Sequence, residues 1–249
     1  MSEMEKIKLL NNNYEHLGIL LLELMHFLSP FKSHYRSYVS KNSKLTGIEN
    51  WKNVHAKGKG AIFITSHLGN WEIMVAAGAL AGIPITMITK YLKPEWLLKM
   101  IESTRASVGI KAAYEPRTLP TIMRALRANE AIGFVMDQYA GPPIGIPVKF
   151  FGVEVGTLAA VGTLLSRTNT SVLPVYSYRD RKGILHVNIE PEMEIGSFVL
   201  DKDSANRADI QKTTQILASH VESWVRKFPE QWLWTHRRFK NVVWPSKLS

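Results

Sequence analysis

The apolar positions of this 249-residue chain follow two rhythms. Near the N-terminus, Leu9, Leu10, Leu17, Leu20, Leu21, Leu24, Met25 and Leu28 recur at helical spacing and predict an amphipathic helix over Lys6 to Ser29. A shorter helix is predicted over Phe31 to Asn42, where basic and aromatic residues mix. From Ala61 onward, short apolar runs alternate with longer periodic ones. The strands predicted are Ala61 to Ser66, Ile85 to Thr89, Ala131 to Asp137, Val172 to Tyr178 and Ile184 to Glu190, with Ile110 to Tyr114 as a further short candidate. The helices predicted between and after them are Trp71 to Ala81, Pro94 to Val108, Thr118 to Asn129, Thr157 to Thr168 and Ser204 to Lys227. This alternation specifies an α/β fold, a largely parallel sheet covered by helices on both faces, with an N-terminal helical cap. Nothing reads as a linker or repeat. The chain is therefore one domain, with the cap over residues 1–50 and the α/β core over 51–249.

The N-terminal pattern leaves two readings open, a helix packed on the core or one lying against a bilayer. It does not predict a membrane span. The run from Leu17 to Phe31 is interrupted by Glu23, His26 and Pro30, and the run from Val75 to Ile88 contains Gly78, Gly82 and Pro84. Glu3, Glu5 and Lys6 open the chain without the look of a secretory signal.

Composition narrows the function. With 45% hydrophobic and 21% charged residues, the chain is globular rather than disordered. The absence of cysteine excludes disulfides, thiolate metal sites and a cysteine nucleophile. A net charge of +10 and a pI near 9.7 call for a polyanionic partner such as an anionic membrane, a phosphorylated lipid, nucleic acid or an acidic protein. There is no Gly-x-Ser-x-Gly, Walker loop, Gly-x-Gly-x-x-Gly or His-Glu-x-x-His. Serine hydrolysis, nucleotide binding and zinc proteolysis lose their usual signatures.

The chemistry concentrates at Ser66-His67-Leu68-Gly69-Asn70-Trp71-Glu72. His67 ends a predicted buried strand and Glu72 falls in the first turn of the next helix, where the dipole favours a carboxylate. Catalytic groups of open α/β sheets gather beyond the carboxyl ends of strands. The spacing thus allows Glu72 to hold the His67 imidazole in one tautomer and leave its other nitrogen as a general base. One such His-x4-Glu pair is about what composition yields by chance, so the spacing alone does not decide. Asp137-Gln138 also follows an apolar strand and is placed on the same rim. The Tyr139 to Gly156 stretch reads as a lid or as a self-packed Ω-loop. The C-terminal stretch from Trp224 to Trp244 interleaves four Trp with Arg226, Lys227, His236, Arg237, Arg238 and Lys240. That mixture suits an anionic membrane interface, a nucleic-acid surface, or buried rings under a solvated charged face.

Four ordered blocks carry a resemblance: the His67 block, Met136-Asp137-Gln138, Pro147 to Gly152, and Pro229 to Phe239. Together they resemble the bacterial lipid A biosynthesis acyltransferase (lauroyl/myristoyl transferase) family, within the His-x4-Asp/Glu glycerolipid acyltransferase group. The resemblance implies transfer of a fatty acyl chain from an acyl thioester, carried by acyl carrier protein or coenzyme A, to a hydroxyl of a lipid A precursor or related glycolipid. His67 is then the general base, Glu72 its orienting partner, and Arg105 an oxyanion donor or phosphate clamp. Asn70, Asp137, Gln138, Phe150 and Phe151 are expected at the substrate. Trp232, Trp234, Arg237 and Arg238 are expected on a surface facing the membrane or an acidic acyl carrier protein. The same resemblance implies the cytoplasmic face of the bacterial inner membrane, no bound cofactor or metal, and no nucleic acid. Family members commonly carry a transmembrane anchor ahead of the region matched by Lys6 to Phe31, and this sequence shows none. Peripheral binding, an anchor trimmed from the sequence, or an acceptor outside lipid A (an aminolipid or a phospholipid) therefore stays open, as does a non-catalytic lipid-binding role.

Overall fold

The apolar run at Ala61 forms the central strand of a seven-stranded sheet. The computed structural model describes residues 1–115, 118–168, 170–195, 207–235 and 237–242. In chain order these form α1 (Glu3–Phe27), α2 (Lys32–Asn42), β1 (Ser43–Thr46), α3 (Ile48–His55), β2 (Ala61–Thr65), α4 (Trp71–Leu80) and β3 (Ile85–Thr89). There follow α5 (Glu95–Ser107), β4 (Lys111–Tyr114), α6 (Leu119–Arg127), β5 (Ala131–Val135), β6 (Gly145–Phe150), β7 (Val153–Leu158), α7 (Ala160–Leu165), β8 (Ser171–Arg179), β9 (Leu185–Ile189) and α8 (Arg207–Lys227). A 3-10 turn at Pro229–Gln231 leads to the C-terminal segment. His236 and Trp244 lie outside the described residues.

The sheet order is β1-β9-β8-β2-β5-β3-β4, and every pairing is parallel except β8 with β9. All five residues of β2 are buried, because helices cover both faces. Its side chains divide by the two-residue period of a strand. Ile62 and Ile64 join one core with Phe134, Val172, Leu217 and Trp224, beneath α6, α7 and α8. Ala61 and Phe63 join the other with Trp51, Met74, Ile85 and Leu173, beneath α2, α3 and α4. Each fully buried Val, Leu, Ile, Phe or Met side chain among them contributes about 1.5–3 kcal/mol.

Two departures from the predicted pattern bear on the site. Ser43–Thr46 is an edge strand with a single aliphatic residue, so its sequence gave no alternation to read, and with it the region of the cap supplies part of the sheet. The stretch from Tyr139 to Gly156 is not a loop throughout but contains the antiparallel hairpin β6–β7, whose strand residue Thr157 was expected in a helix. Its glycines and prolines masked the pattern. Gly145 is needed there because a Cβ would come 1.8 Å from the Ala140 carbonyl oxygen.

Candidate active site

Parallel pairing of β2 with β5 sets Thr65 opposite Val135. Two residues farther along each chain bring His67 level with Asp137, just beyond the carboxyl ends of both strands. Asp137 Oδ1 lies 2.8 Å from His67 Nδ1, and Oδ2 accepts from the His67 backbone amide at 2.7 Å. The indole Nε1 of Trp232 donates to the same Oδ2 at 2.7 Å. Burial by itself would raise the Asp137 carboxyl. The charge His67 carries when protonated, its side-chain hydrogen bond, the Trp232 donor and the His67 amide together outweigh it and hold Asp137 below the ordinary carboxylate range. Asp137 is thus an anion, and the Nδ1 proton points at it. On the other side of the ring, Gln138 Nε2 lies 3.2 Å from His67 Nε2. An amide N–H there donates to the ring lone pair, so both neighbours select the tautomer that makes Nε2 the base.

The Nδ1 partner is therefore Asp137, and the expected role for Glu72 needs correction. Glu72 does stand in the first turn of α4, but its carboxylate faces the guanidinium of Arg105 at the end of α5. Arg105 Nε donates to Oε2 at 3.2 Å and Nη2 to Oε1 at 2.6 Å, a bidentate fork. Burial alone would lower the Arg105 pKa, while the charge and hydrogen bonds of Glu72 move it upward on balance. The reason is geometric: the turn of chain through Leu68, Gly69 and Asn70 carries Glu72 onto the helix, whereas the neighbouring strand delivers Asp137 directly to the imidazole.

That turn is gripped from three sides. Gly69, at φ +62°, donates to Gln231 O at 3.0 Å, and Leu233 N donates to His67 O at 3.1 Å. His16 of α1 donates from Nε2 to Gly69 O across 3.2 Å, and burial lowers its pKa to about 4. Asn70 caps α4, its Oδ1 accepting from the amides of Glu72 and Ile73, while its Nδ2 donates to Glu23. These contacts occupy both polar ends of Asn70, which shapes the turn and also lines the apolar groove beside it. Glu23 in turn pairs with Arg179 at 2.6 Å.

Two cavities flank Trp71, whose ring stands edge-on to His67 at a centroid distance of 4.7 Å. One, of about 300 Å³, is lined by His67, Glu72, Lys90, Arg105, Gln138 and Tyr139, together with apolar residues that include Ile144 and Leu158. The other, of about 370 Å³, is an almost wholly apolar groove between α1 and the start of α4. Phe150 and Phe151 line neither. Phe150 is fully buried against Trp232 and Phe239, and Phe151 packs beneath Arg226, because the hairpin folds onto α8.

The expected surface group also divides. Trp234 and Arg237 are exposed. Trp232 and Arg238 are buried, which corrects their assignment to a membrane or carrier surface. Arg238 Nη1 donates to Gln138 O at 2.8 Å and Nη2 to Thr157 Oγ1 at 2.8 Å, with the guanidinium 4.6 Å above the Phe150 ring. Burial lowers its pKa to about 10. It pins Gln138 to the hairpin from behind. Charge and aromaticity in one segment suggested a surface. Nothing in that composition marked which members turn inward, although Trp232 and Asp137 stand in two of the four blocks. Among the described residues no group of three or more His, Asp or Glu is placed to hold a metal ion.

The family model for bacterial lipid A biosynthesis acyltransferases matches residues 1–241. The chain belongs to this family. It is 24% identical over 245 residues to the lipid A biosynthesis lauroyltransferase of Escherichia coli (strain K12), covering 97% of this chain and 74% of that protein. The palmitoleoyltransferase of the same organism is 27% identical over 243 residues, with 95% and 73% covered. A phosphatidylinositol mannoside acyltransferase of Mycolicibacterium smegmatis is 24% identical over 193 residues, with 73% and 57% covered. Like these relatives, this member of the lipid A acyltransferase family is an acyltransferase enzyme.

Proposed function

We propose that the protein transfers a fatty acyl chain from a thioester, with acyl carrier protein as the carrier, to a hydroxyl of a lipid A precursor or related glycolipid. The observation that carries the mechanism is the imidazole of His67 held between ionised Asp137 and Gln138 at the wall of a cavity shared with Arg105. The acceptor hydroxyl displaces the Gln138 amide and gives its proton to Nε2 as its oxygen attacks the thioester carbonyl. Asp137 stabilises the imidazolium. The carbon–sulfur bond then breaks, and the leaving thiolate takes the proton from Nε2. Arg105 Nε and Nη2 are committed to Glu72, which leaves Nη1 for the developing oxyanion or an acceptor phosphate, an interaction worth ~3 kcal/mol.

The net charge of +10 suits docking of an acidic carrier and of an anionic leaflet. Among the described residues no helix is long and apolar enough to cross a membrane. The reading places the protein at the cytoplasmic face of the inner membrane, with Trp234 and Arg237 at the surface that meets the lipid or carrier. The phosphatidylinositol mannoside acyltransferase relative favours one alternative, a mannosylated phospholipid acceptor.

Mass spectrometry of glycolipids incubated with acyl carrier protein thioesters tests this. An acylated lipid A precursor is expected, with loss of ~100- to 10,000-fold in rate for His67→Ala. A folded His67→Ala protein with undiminished transfer would overturn the mechanism. Product on mannosylated phospholipid alone would reassign the acceptor.

A further inference from the structure

Helix α1 buries three polar side chains beside Phe27 and turns large aliphatic ones outward along its second half. Asn13, His16 and Glu23 face inward at 5%, 5% and 4% exposure, whereas Leu21, Leu22 and Met25 face outward at 67%, 64% and 71%. The inward groups all have partners. Asn13 donates to Glu230 O and Trp232 O, His16 to Gly69 O, and Glu23 receives Asn70, Tyr38 and Arg179. Hydrogen bonds inside and aliphatic carbon outside is the arrangement a lipid environment favours, since hydrocarbon surroundings take away the gain from packing apolar side chains inward.

The same helix walls the 370 Å³ groove, where Leu17, Leu20 and Leu24 face Trp71, Ile73 and Leu233. Leu21 and Leu24 belong both to this groove and to the exposed face. The groove mouth is therefore continuous with that face, and its inner end reaches Trp71 and Glu72 beside His67.

We propose that the outward face of α1 rests among membrane acyl chains, and that the groove between α1 and α4 takes one alkyl chain of a bilayer-resident acceptor lipid. This rests on the reading of the protein as an acyltransferase with a lipid acceptor. A bilayer lipid reaches the groove along unbroken apolar surface and never exposes the chain to water. A thioester donor arrives from solution, and the cavity on the other side of Trp71, with its charged lining, receives it.

The probe is a vesicle of equimolar phosphatidylethanolamine and phosphatidylglycerol with dibrominated chains, since bromine quenches indole fluorescence on close approach. The part of the quenching that disappears in Trp71→Phe reports a chain in the groove. Wild-type protein is expected to show that part. Leu17→Gln combined with Leu20→Gln is expected to reduce it about tenfold, the effect of losing contact with one or two methylenes. Leu20→Phe, which narrows the groove without polar atoms, is the second variant should the first unfold, and is expected to reduce the signal likewise. Leu22→Glu with Met25→Glu is expected to weaken vesicle sedimentation about tenfold and to leave the Trp71 signal per bound molecule unchanged. A dibrominated acyl-coenzyme A in solution is expected to quench equally with and without the groove substitutions.

Absence of a Trp71 signal in vesicle-bound wild-type protein would overturn the proposal. So would a groove variant that loses the acyl-coenzyme A signal along with the vesicle signal, which would assign the groove to the donor. Acylation is scored separately by mass spectrometry, so a failed enzymatic reading with Trp71 quenching intact is distinguishable from a failed groove assignment.

Discussion

Trp232 Nε1 donates to Asp137 Oδ2 across 2.7 Å, joining residues 95 apart in sequence at the carboxylate that holds His67. Trp232→Phe keeps most of the ring packing and deletes this donor. A hydrogen bond to a buried charge is worth ~1.5–3 kcal/mol, so transfer should slow about tenfold or more. The deletion also acts on stability. Asp137 sits below its ordinary value in the folded protein, so its contribution is full above the unfolded carboxyl value and is lost as pH falls through the folded one. Without the Trp232 donor the folded value rises toward the unfolded one, so this contribution is smaller and is exhausted at a higher pH. Acid unfolding followed by circular dichroism should show a raised midpoint, and an unchanged midpoint would contradict the assigned hydrogen bond.

The two carboxylates have different partners, and double-mutant cycles can separate them. Asp137→Asn should lower kcat by roughly 10³- to 10⁴-fold, because an amide cannot hold the imidazole in the same tautomer or balance the imidazolium. Its effect should couple strongly to His67→Ala. Glu72→Gln should couple to Arg105→Lys instead, by ~1–3 kcal/mol, through the bidentate fork. Strong Glu72–His67 coupling with none between Asp137 and His67 would reverse the assignment.

Gly69 occupies a left-handed conformation, and a Cβ there would lie 2.6 Å from the carbonyl oxygen of Ser177. Gly69→Ala therefore combines backbone strain with a backbone clash. Strain in this region costs ~1–3 kcal/mol before the clash is counted. The chain must move at the turn that carries both His67 and Glu72. The expected result is a protein with a lower unfolding midpoint in urea and a transfer rate reduced at least as far as by Trp232→Phe. Wild-type stability in this variant would show that the turn relaxes freely.

His16 gives the fold a second acid sensitivity. Its pKa of about 4 in the folded protein lies below the ordinary histidine value of 6.5, so the unfolded chain binds more protons between those values. Stability is full above pH ~6.5 and declines as pH falls toward 4, by on the order of 1–3 kcal/mol. His16→Gln can still donate to Gly69 O but cannot ionise. Urea unfolding between pH 7 and 4 should give a shallower decline for this variant. An identical slope would remove His16 from the account.

The local pattern determined the alternation of β2, α4, β3 and α5, because a strand buried on both faces and a helix over it leave unmistakable apolar periods. It also marked His67 as the strand-end residue of the candidate site, since the apolar run stops there. Ser43–Thr46 and the hairpin at 145–158 were hidden, the first by its polar edge position and the second by its Gly and Pro content. What sequence could not decide was pairing. His-x4-Glu places two side chains near one another along the chain, but the register of β2 against β5 sets Asp137 2.8 Å from Nδ1, while the turn carries Glu72 to Arg105. Burial in the C-terminal segment was equally a tertiary matter. Trp232 and Arg238 turn inward because buried Asp137 needs a donor and the Gln138 and Gly156 carbonyls need an acceptor's partner, while Trp234 and Arg237, two and one residues away from them, meet no such demand. The polar groups buried under α1 follow the same logic: its leucines spell a core helix until Glu23, Arg179 and Asn70 are seen joined beneath it.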